Sequence, residues 1–471
     1  MTNLPVKNIH FLAKIAPASF SKAVAALSIG AALLVSTCAQ GFAQGIPVVR
    51  DAEIEALVRD YSRPIFNAAG LSKSGIQIVL VNDKSFNAFV AGRRMFINTG
   101  ALMQAETPNE IIGVIAHEAG HLAGGHQQRL RDQIARSQTM AIIAGLLGAG
   151  AIVAGGATDN RGLAGAGIGL ATGGSEAARR SLLSYQRGEE MAADRSAITY
   201  LDKTGQSGRG MLTTFQRFQS ALSLSGARVD PYRISHPMPQ DRISNLQTLI
   251  QKSPNYNKTD SAALQQRHDM ARFKIAAYTQ GQAAVSRMMS KSRGSLAAQY
   301  GDAQLTYLNG NLRSAQSKTD ALLKAQPKNP YFHELRGDIL MKAGRPKEAV
   351  NAYGKAIQYD QAKSGLLPVM QGQALLAIGT PDAVKQAIAQ INKGLARDRE
   401  NISAYRYLAQ AYGMTGNVAE AELATAEGHY YSARYRDAAI FAARAQTRLK
   451  PKSPAWMRAQ DIINQGKSAR R

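Results

Sequence analysis

The sequence predicts a mostly helical α+β domain with a small sheet, followed by an all-α solenoid of helix pairs. The chain has 471 residues, which is too long for one ordinary core and favours two or three domains. Residues 44–262 mix strand-like runs with helical ones, whereas residues 263–471 show helical patterns and a fixed internal repeat. We therefore place a domain boundary near residue 262.

The composition is that of a globular protein with a basic surface. Hydrophobic residues make up 45% of the chain, and 57 Lys+Arg against 33 Asp+Glu leave a formal charge of +24. Nucleic acid and anionic membranes are common partners of such a chain. Because the sequence contains no RNP motif and no Cys/His finger spacing, we expect no nucleic-acid partner, and peripheral membrane contact stays open.

Residues 1–43 have the order of a secretory signal peptide. Lysines precede the apolar run AVAALSIGAALLV, and small residues with GFAQG follow it. The run is short for a ~20-residue membrane span, so cleavage after Ala43 is favoured over an uncleaved anchor. The single cysteine, Cys38, lies inside this segment, which suits an exported protein without disulfide chemistry.

Residues 51–106 predict a helix, a strand and a hairpin. DAEIEALVRDYSRPIFNAAG is helical in composition, GIQIVLVND is strand-like, and two apolar stretches about Gly92 indicate the hairpin. The next helix has Thr107 as N-cap, Pro108 at its first position and Glu110 to complete a capping box.

This helix carries the most informative motif of the chain, HEAGH at residues 117–121. His117 and His121 are four residues apart, so their imidazoles project from one helix face and can bind one cation together. Glu118 stands beside them, where a carboxylate can take a proton from metal-bound water. Solvated histidines, the alternative, would not explain the apolar run IIGVIA before the pair. The motif therefore predicts a zinc site.

Two histidines leave that site incomplete, because a catalytic zinc commonly takes three protein ligands and a water. Glu190 in EEMAADR is the best candidate for the third ligand, and Glu189 is its rival. Asp194 lies one turn beyond Glu190, on the face where it can hydrogen-bond a ligand histidine. His126, five residues after His121, points away from the metal face and is expected to be structural.

Residues 137–175 are rich in glycine and alanine and are interrupted by the polar break ATDNRG. Small residues let two helices pack closely, within a protein or at a bilayer. Because glycine costs ~1 kcal/mol per helix position relative to alanine, we favour a protein-packed or interfacial helical hairpin over a transmembrane pair.

Beyond residue 262 the sequence repeats with the tetratricopeptide period. The pair Gly310 and Ala315 recurs 34 residues later and again after a further 72. The segment PYFHELRGDILMKAGRPKEAVNAYGKAIQYD shows the pattern best, with small residues such as Gly337 at helix crossings and Tyr353 between them. About four repeats are expected over residues 264–471, because each helix pair buries its face only against its neighbours. A plain helical bundle would not give a fixed shift.

The motifs together resemble the zinc metallopeptidase family of HtpX and the CaaX prenyl protease: HEAGH on a helix, ExxAD from Glu190 to Asp194, and a later HP before an arginine. The resemblance implies a zincin-type metalloprotease domain that binds one Zn²⁺ through His117, His121 and Glu190. It further implies that the catalytic residues are Glu118, as general base, and Asp194, as support for a ligand. Integral-membrane relatives have transmembrane helices where this chain has its glycine-rich segment.

His236 in SHPMPQDR is the remaining candidate. A loop histidine before proline is ordinarily a turn residue. The resemblance implies that it can reach the metal as a fourth ligand, take the place of the water and act as a gate.

The leading interpretation is a zinc endopeptidase that hydrolyses unfolded or misassembled proteins, with MFIN as an edge strand that pairs with an extended peptide. The resemblance implies a periplasmic role in outer-membrane protein quality control, with the repeats recruiting substrate or the β-barrel assembly machinery. The alternative is a chaperone or scaffold whose metal site is latent. Glu118 favours the enzyme, since a structural zinc needs no base.

Overall fold

The computed structural model describes residues 47–157, 161–225, 236 and 240–468. The predicted signal segment with Cys38, and all of the loop about His236 except that histidine, lie outside these residues. From Val48 onward the described residues belong to one compact unit. The predicted α+β domain followed by all-α repeats is confirmed.

A small mixed sheet forms one side of the first domain. Its strands and the two helices among them are β1 (Val48–Val49), α1 (Ala52–Ala68), β2 (Gln77–Val81), β3 (Ala88–Ala91), β4 (Arg94–Asn98) and α2 (Thr99–Gln104). The strand order is β1-β2-β4-β3, with β2 and β4 parallel and the other pairs antiparallel. The hairpin turns at Gly92, whose φ is +60°. MFIN lies in β4, inside the sheet, so its predicted edge position is wrong, and β1 and β3 are the edge strands of the described sheet.

Helix α3 (Pro108–Gly124) holds the HEAGH motif and begins at the predicted proline. Thr107 is the N-cap as predicted, but the capping box is incomplete, because the Thr107 side chain makes no cap hydrogen bond. Glu110 instead accepts a hydrogen bond from the Glu106 N–H at 3.1 Å and pairs with Arg217 at 2.7 Å. The carboxylate of Glu110 therefore contacts both the backbone at the start of the helix and Arg217.

The glycine-rich segment belongs to a helical hairpin, as predicted, but its arms are longer. They are α4 (His126–Ala157) and α5 (Arg161–Lys203), and the helix predicted to carry EEMAADR is the continuation of α5. No proline interrupts residues 161–203, so nothing ends the helix between the two segments. Among the described residues, no helix combines the length and apolarity needed to cross a bilayer. Helices α6 (Arg209–Ser225) and α7 (Gln240–Gln251) complete the domain.

The repeat domain contains twelve helices between residues 262 and 468, which form six antiparallel pairs in that described range. The predicted number of about four is therefore too low, because the outer pairs depart from the 34-residue spacing. Tyr353 packs on Gly337 as predicted: a Cβ on that glycine would lie 2.5 Å from the ring. The helices are α8 (Ala262–Thr279), α9 (Gln282–Lys291), α10 (Leu296–Leu308), α11 (Leu312–Ala325), α12 (Pro330–Lys342), α13 (Pro346–Tyr359), α14 (Leu366–Ile378), α15 (Pro381–Leu395), α16 (Ile402–Met414), α17 (Val418–Tyr431), α18 (Tyr435–Gln446) and α19 (Pro454–Ser468).

A buried ionic cluster connects the first repeats to the start of the first domain. Lys274 of α8 is 6% exposed, and its Nζ lies 2.7 Å from Asp51 Oδ2, 3.4 Å from Glu53 Oε2 and 3.7 Å from Glu334 Oε2. Tyr300 donates a hydrogen bond to Glu53 at 2.8 Å. These groups come from the N-terminus of α1 and from α8, α10 and α12, so the cluster joins four separate elements.

Farther along the repeats, a second contact reaches the sheet. Arg94 of β4 donates two hydrogen bonds to Glu400, at 2.9 and 3.0 Å, and Arg50 pairs with Asp398 at 2.5 Å. Arg94 and Glu400 are each 47% exposed in their side chains, so this pair contributes little to stability. It does fix which turn of the repeat domain faces the sheet.

Candidate metal centre

Two helices bring the predicted site residues together. Helix α3 presents His117, Glu118 and His121, and α5 crosses it with Glu190 and Asp194. All five side chains are buried. The helices approach closely at Gly120, which has no side chain. A Cβ there would lie 2.9 Å from the Ala193 carbonyl oxygen. The glycine inside HEAGH thus lets the two metal motifs meet.

Four side chains form a group that can hold one metal ion: His117, His121, Glu190 and His236. The His117 and His121 Nε2 atoms are 3.0 Å apart, and each lies 3.3 Å from an oxygen of Glu190. His236 Nδ1 lies 3.0 Å from Glu190 Oε1. Ligands at about 2.0–2.1 Å around a tetrahedral zinc stand roughly 3.3 Å apart, so this donor set fits the ion in chemistry and in spacing.

Glu118 lies beside this group without ligating it. Its side chain is 1% exposed, and neither carboxylate oxygen has a hydrogen-bond partner among the residues that the structure describes. The nearest imidazole nitrogen, His236 Nε2, is 3.3 Å from Oε1. A buried carboxylate normally has its oxygens satisfied, so Glu118 has acceptor capacity available for a water molecule or a substrate.

Asp194 supports one ligand, and an arginine supports both carboxylates. Asp194 Oδ1 lies 2.9 Å from His117 Nδ1, which leaves Nε2 to face the metal position. Arg242 of α7 contacts Asp194 at 2.5 and 2.8 Å and Glu190 Oε2 at 2.7 Å. Its guanidinium is 2% exposed and lies 4.9 Å from the centre of the Phe215 ring. Arg242 thus offsets the charge that two buried carboxylates accumulate.

The rival ligand Glu189 lies outside the metal group. Its carboxylate is 2.8 Å from His126 Nε2 and accepts two hydrogen bonds from Arg129. His126 does not face the metal position, as predicted, and its Nδ1 lies 2.9 Å from His121 Nδ1. Consecutive glutamates of α5 therefore point to different neighbours, because successive helical residues are about 100° apart.

The site shifts the pKa of its acids and bases in opposite directions. Burial raises the pKa of Glu118 to about 7. Burial lowers the pKa of His117, but hydrogen bonds to Asp194 and Glu190 outweigh it and raise the pKa to about 9. The pKa of Glu190 lies well below its usual range despite burial, because three imidazole rings contact its carboxylate at hydrogen-bond distance. Since a metal ligand must be deprotonated, metal binding displaces protons from this group.

The exposed edge of β3 lies close to the end of α3. The side-chain amide of Gln127 donates a hydrogen bond to the Val90 carbonyl, and its oxygen accepts one from the Gly92 N–H at 3.3 Å. Gln127 follows His126 in the chain. The corner between α3 and α4 therefore contacts both the metal centre and the sheet edge.

Sequence reasoning gave no role to Arg242 or to the contact between His126 and His121. A signal for the arginine does exist in the sequence. Arg242 stands four residues before Leu246 and eight before Ile250, so the helical period places it on the buried face of α7. A charged residue at such a position requires buried partners, and Glu190 and Asp194 of EEMAADR were available. The histidine contact has no comparable pattern, because it depends on the turn between two helices.

The chain matches known proteins in both of its parts. Residues 49–250 match the family model of peptidase family M48, and residues 300–365 match a tetratricopeptide repeat model. The Beta-barrel assembly-enhancing protease of Escherichia coli (strain K12) is 22% identical over 86% of this chain and 81% of its own length. The protein of that name from Yersinia pestis is 24% identical over 69% of this chain and 65% of its own.

Among solved structures, yeast Tom70 aligns over 63% of this chain and 61% of its own, with 13% identity and a TM-score of 0.31, which is too low to show a shared arrangement. The sequence matches do not depend on that alignment. Together with the buried His and Glu cluster, they confirm the resemblance drawn from HEAGH and ExxAD. Residues 49–250 thus match peptidase family M48, and helical repeats that match the tetratricopeptide model follow them in the same chain.

Proposed function

We propose that this protein is a zinc-dependent endopeptidase that hydrolyses peptide bonds of unfolded or misassembled proteins. The observation that carries this proposal is the buried group of His117, His121 and Glu190 with the unbonded carboxylate of Glu118 beside it. Zinc is the favoured ion because imidazole and carboxylate ligands at tetrahedral spacing suit it.

The residues of the chain divide the chemistry between them. A bound Zn²⁺ supplies Lewis acidity, which polarises the scissile carbonyl and acidifies a water. Glu118 takes the proton of that water and passes it to the leaving amine. Asp194 and Arg242 hold His117 and Glu190 in place, so that the ligands need no rearrangement during the reaction.

The position of β3 as an edge strand supports the class of substrate. An extended peptide can add to a sheet edge through backbone hydrogen bonds, and this mode of binding depends on chain conformation more than on side chains. Folded proteins offer few extended segments with free backbone groups, whereas unfolded ones offer many. We infer that the repeats recruit such chains or an assembly machine, as the name of the relatives suggests, in the periplasm.

Removal of the metal tests this function. Chelator-treated protein is expected to leave unfolded casein intact, and one equivalent of Zn²⁺ is expected to restore cleavage, followed by gel electrophoresis over time. A tightly folded protein serves as the control substrate and should resist both preparations. Cleavage that persists in the metal-free protein would exclude metal-dependent hydrolysis.

A chaperone or scaffold is the second candidate, and the repeat domain is the observation that favours it. The same experiment separates the two. If the metal-free and zinc-loaded proteins both leave casein uncut and both suppress aggregation of an unfolded protein, the chaperone function is the better description. Light scattering during dilution of a denatured substrate measures that suppression.

We also propose that His236 restrains the enzyme. Its ring lies between Glu190, 3.0 Å from Nδ1, and Glu118, 3.3 Å from Nε2, where an attacking water must stand. His236→Ala is expected to raise the cleavage rate about tenfold, the change that ~1.4 kcal/mol produces. The double variant with Glu118→Gln is the control and should stay inactive. An unchanged or lower rate in zinc-loaded His236→Ala would show that the histidine assists the reaction instead.

A further inference from the structure

At the corner between α3 and α4 the chain turns so that the side chain of His126 packs against the metal centre. Gly125 ends α3 in the left-handed conformation, with φ +65° and ψ 27°, which glycine adopts without strain. The next residue, His126, is 6% exposed. A Cβ at Gly124 would lie 2.1 Å from its Nε2 atom. Two successive glycines thus make room for an imidazole that folds under the last turn of α3.

The folded-back imidazole contacts the second histidine of HEAGH on the side opposite the metal. His126 Nδ1 lies 2.9 Å from His121 Nδ1, and the two rings are nearly perpendicular at 88°. His121 uses its other nitrogen, Nε2, to face His117 and Glu190. His121 therefore has a polar partner on each of its nitrogens.

The direction of these hydrogen bonds follows from Glu189. Its carboxylate only accepts, so the Nε2 atom of His126, 2.8 Å away, carries the hydrogen. In neutral His126 the Nδ1 atom is then an acceptor, and His121 must donate from Nδ1. That tautomer leaves the lone pair of His121 Nε2 directed at the metal position, which is the form a ligand needs.

Glu189 is itself fixed in position. Arg129 of α4 donates from Nε and Nη2 at 3.1 and 2.8 Å, and such a two-point pair constrains the carboxylate plane. Tyr185 Oη lies 3.3 Å from Arg129 Nε. A chain of groups from both arms of the hairpin thus ends on the ligand His121.

We propose that His126 is a positioning residue that fixes the tautomer and ring angle of His121, with Glu189 as its anchor. The arrangement parallels that of Asp194 on His117, but a second imidazole replaces the direct carboxylate. The inference rests on the proposed role of His121 as a metal ligand. It gives a function to Gly124, His126 and Glu189, none of which touches the metal position.

Metal affinity tests the proposal independently of catalysis. His126→Phe keeps a buried ring but removes the acceptor, and we expect a 10- to 100-fold loss of Zn²⁺ affinity, about the range known for lost supporting groups, measured by competition with a chromophoric chelator. Glu189→Leu should give a similar loss. Glu189→Gln, which keeps an acceptor oxygen, should stay close to wild type. The visible spectrum of the Co²⁺-loaded protein should change in the first two variants only.

A second variant tests the same contact in case His126→Phe misfolds. Gly124→Ala places a methyl group against the His126 ring without removing it, and it should lower Zn²⁺ affinity in the same way. Unchanged affinity and Co²⁺ spectra in folded His126→Phe or Gly124→Ala would overturn the positioning role and leave the proposed function standing. Failure of the wild-type protein to bind Zn²⁺ at all would contradict both the positioning role of His126 and the proposed function.

Discussion

Glu118→Gln is expected to lower the rate of peptide hydrolysis by about 10² to 10⁴, the range that general acid–base catalysis contributes. The amide has almost the same shape as the carboxylate but cannot accept a proton. Because both oxygens of Glu118 lack hydrogen-bond partners in the described part of the chain, the substitution breaks no hydrogen bond seen there. Cleavage of unfolded casein by zinc-loaded protein, with zinc content measured in parallel, checks the expectation.

Two controls make the result specific. Glu106→Gln changes an exposed glutamate just before α3 and should leave the rate unchanged. The variant at Glu118 should bind as much zinc as the wild type. Loss of zinc would place Glu118 among the ligands, and full activity would refute its role as the base.

Lys274→Met is expected to lower the free energy of unfolding by about 3–5 kcal/mol, the usual cost of breaking a buried ion cluster by removing one partner. The variant leaves Asp51, Glu53 and Glu334 without the cation they surround. Burial already raises the pKa of Glu53 and of Glu334, and loss of the lysine raises both further. Chemical denaturation of the full chain at several pH values measures the effect.

The pH dependence distinguishes this mechanism from a simple loss of packing. Carboxyls with raised pKa values in the folded state are destabilising when ionised, so the deficit of Lys274→Met is full at high pH and shrinks as the pH falls through those values. Lys385→Met removes an exposed lysine of α15 and should change stability little at any pH. A deficit that does not vary with pH would point to lost packing, and no deficit would deny the cluster a stabilising role.

Helix α3, which carries HEAGH, was predicted well from the sequence because the signals for it are local. Pro108 and the apolar run before HEAGH mark a buried helix, and the spacing of His117 and His121 alone places both rings on one face. Glu190 was chosen over Glu189 because a third ligand was needed and Asp194 shared its face. The helix and the histidine pair were inferred from residues within a few turns of one another, and Glu190 was added because that pair needed a third ligand.

Features that depend on three-dimensional arrangement were predicted poorly. The position of MFIN in the sheet depends on β2 pairing with β4 across an intervening hairpin, and a strand's own residues do not record its neighbours. The ion pair of Glu110 with Arg217 was not predicted, because Arg217 belongs to a later helix. Arg242 went without a role for the same reason, since its partners are on α5.

Because Gln127 already forms hydrogen bonds with the edge of β3, a peptide that binds there has to replace them. A chain that extends the sheet beside Gly92 has to replace the amide that already holds the Val90 carbonyl and the Gly92 N–H. Hydrogen bonds traded one for one contribute little net free energy. In the binding mode proposed above, a peptide would gain affinity only from backbone pairing beyond these two exchanged hydrogen bonds. We therefore expect short segments to bind this edge less tightly than long unfolded ones.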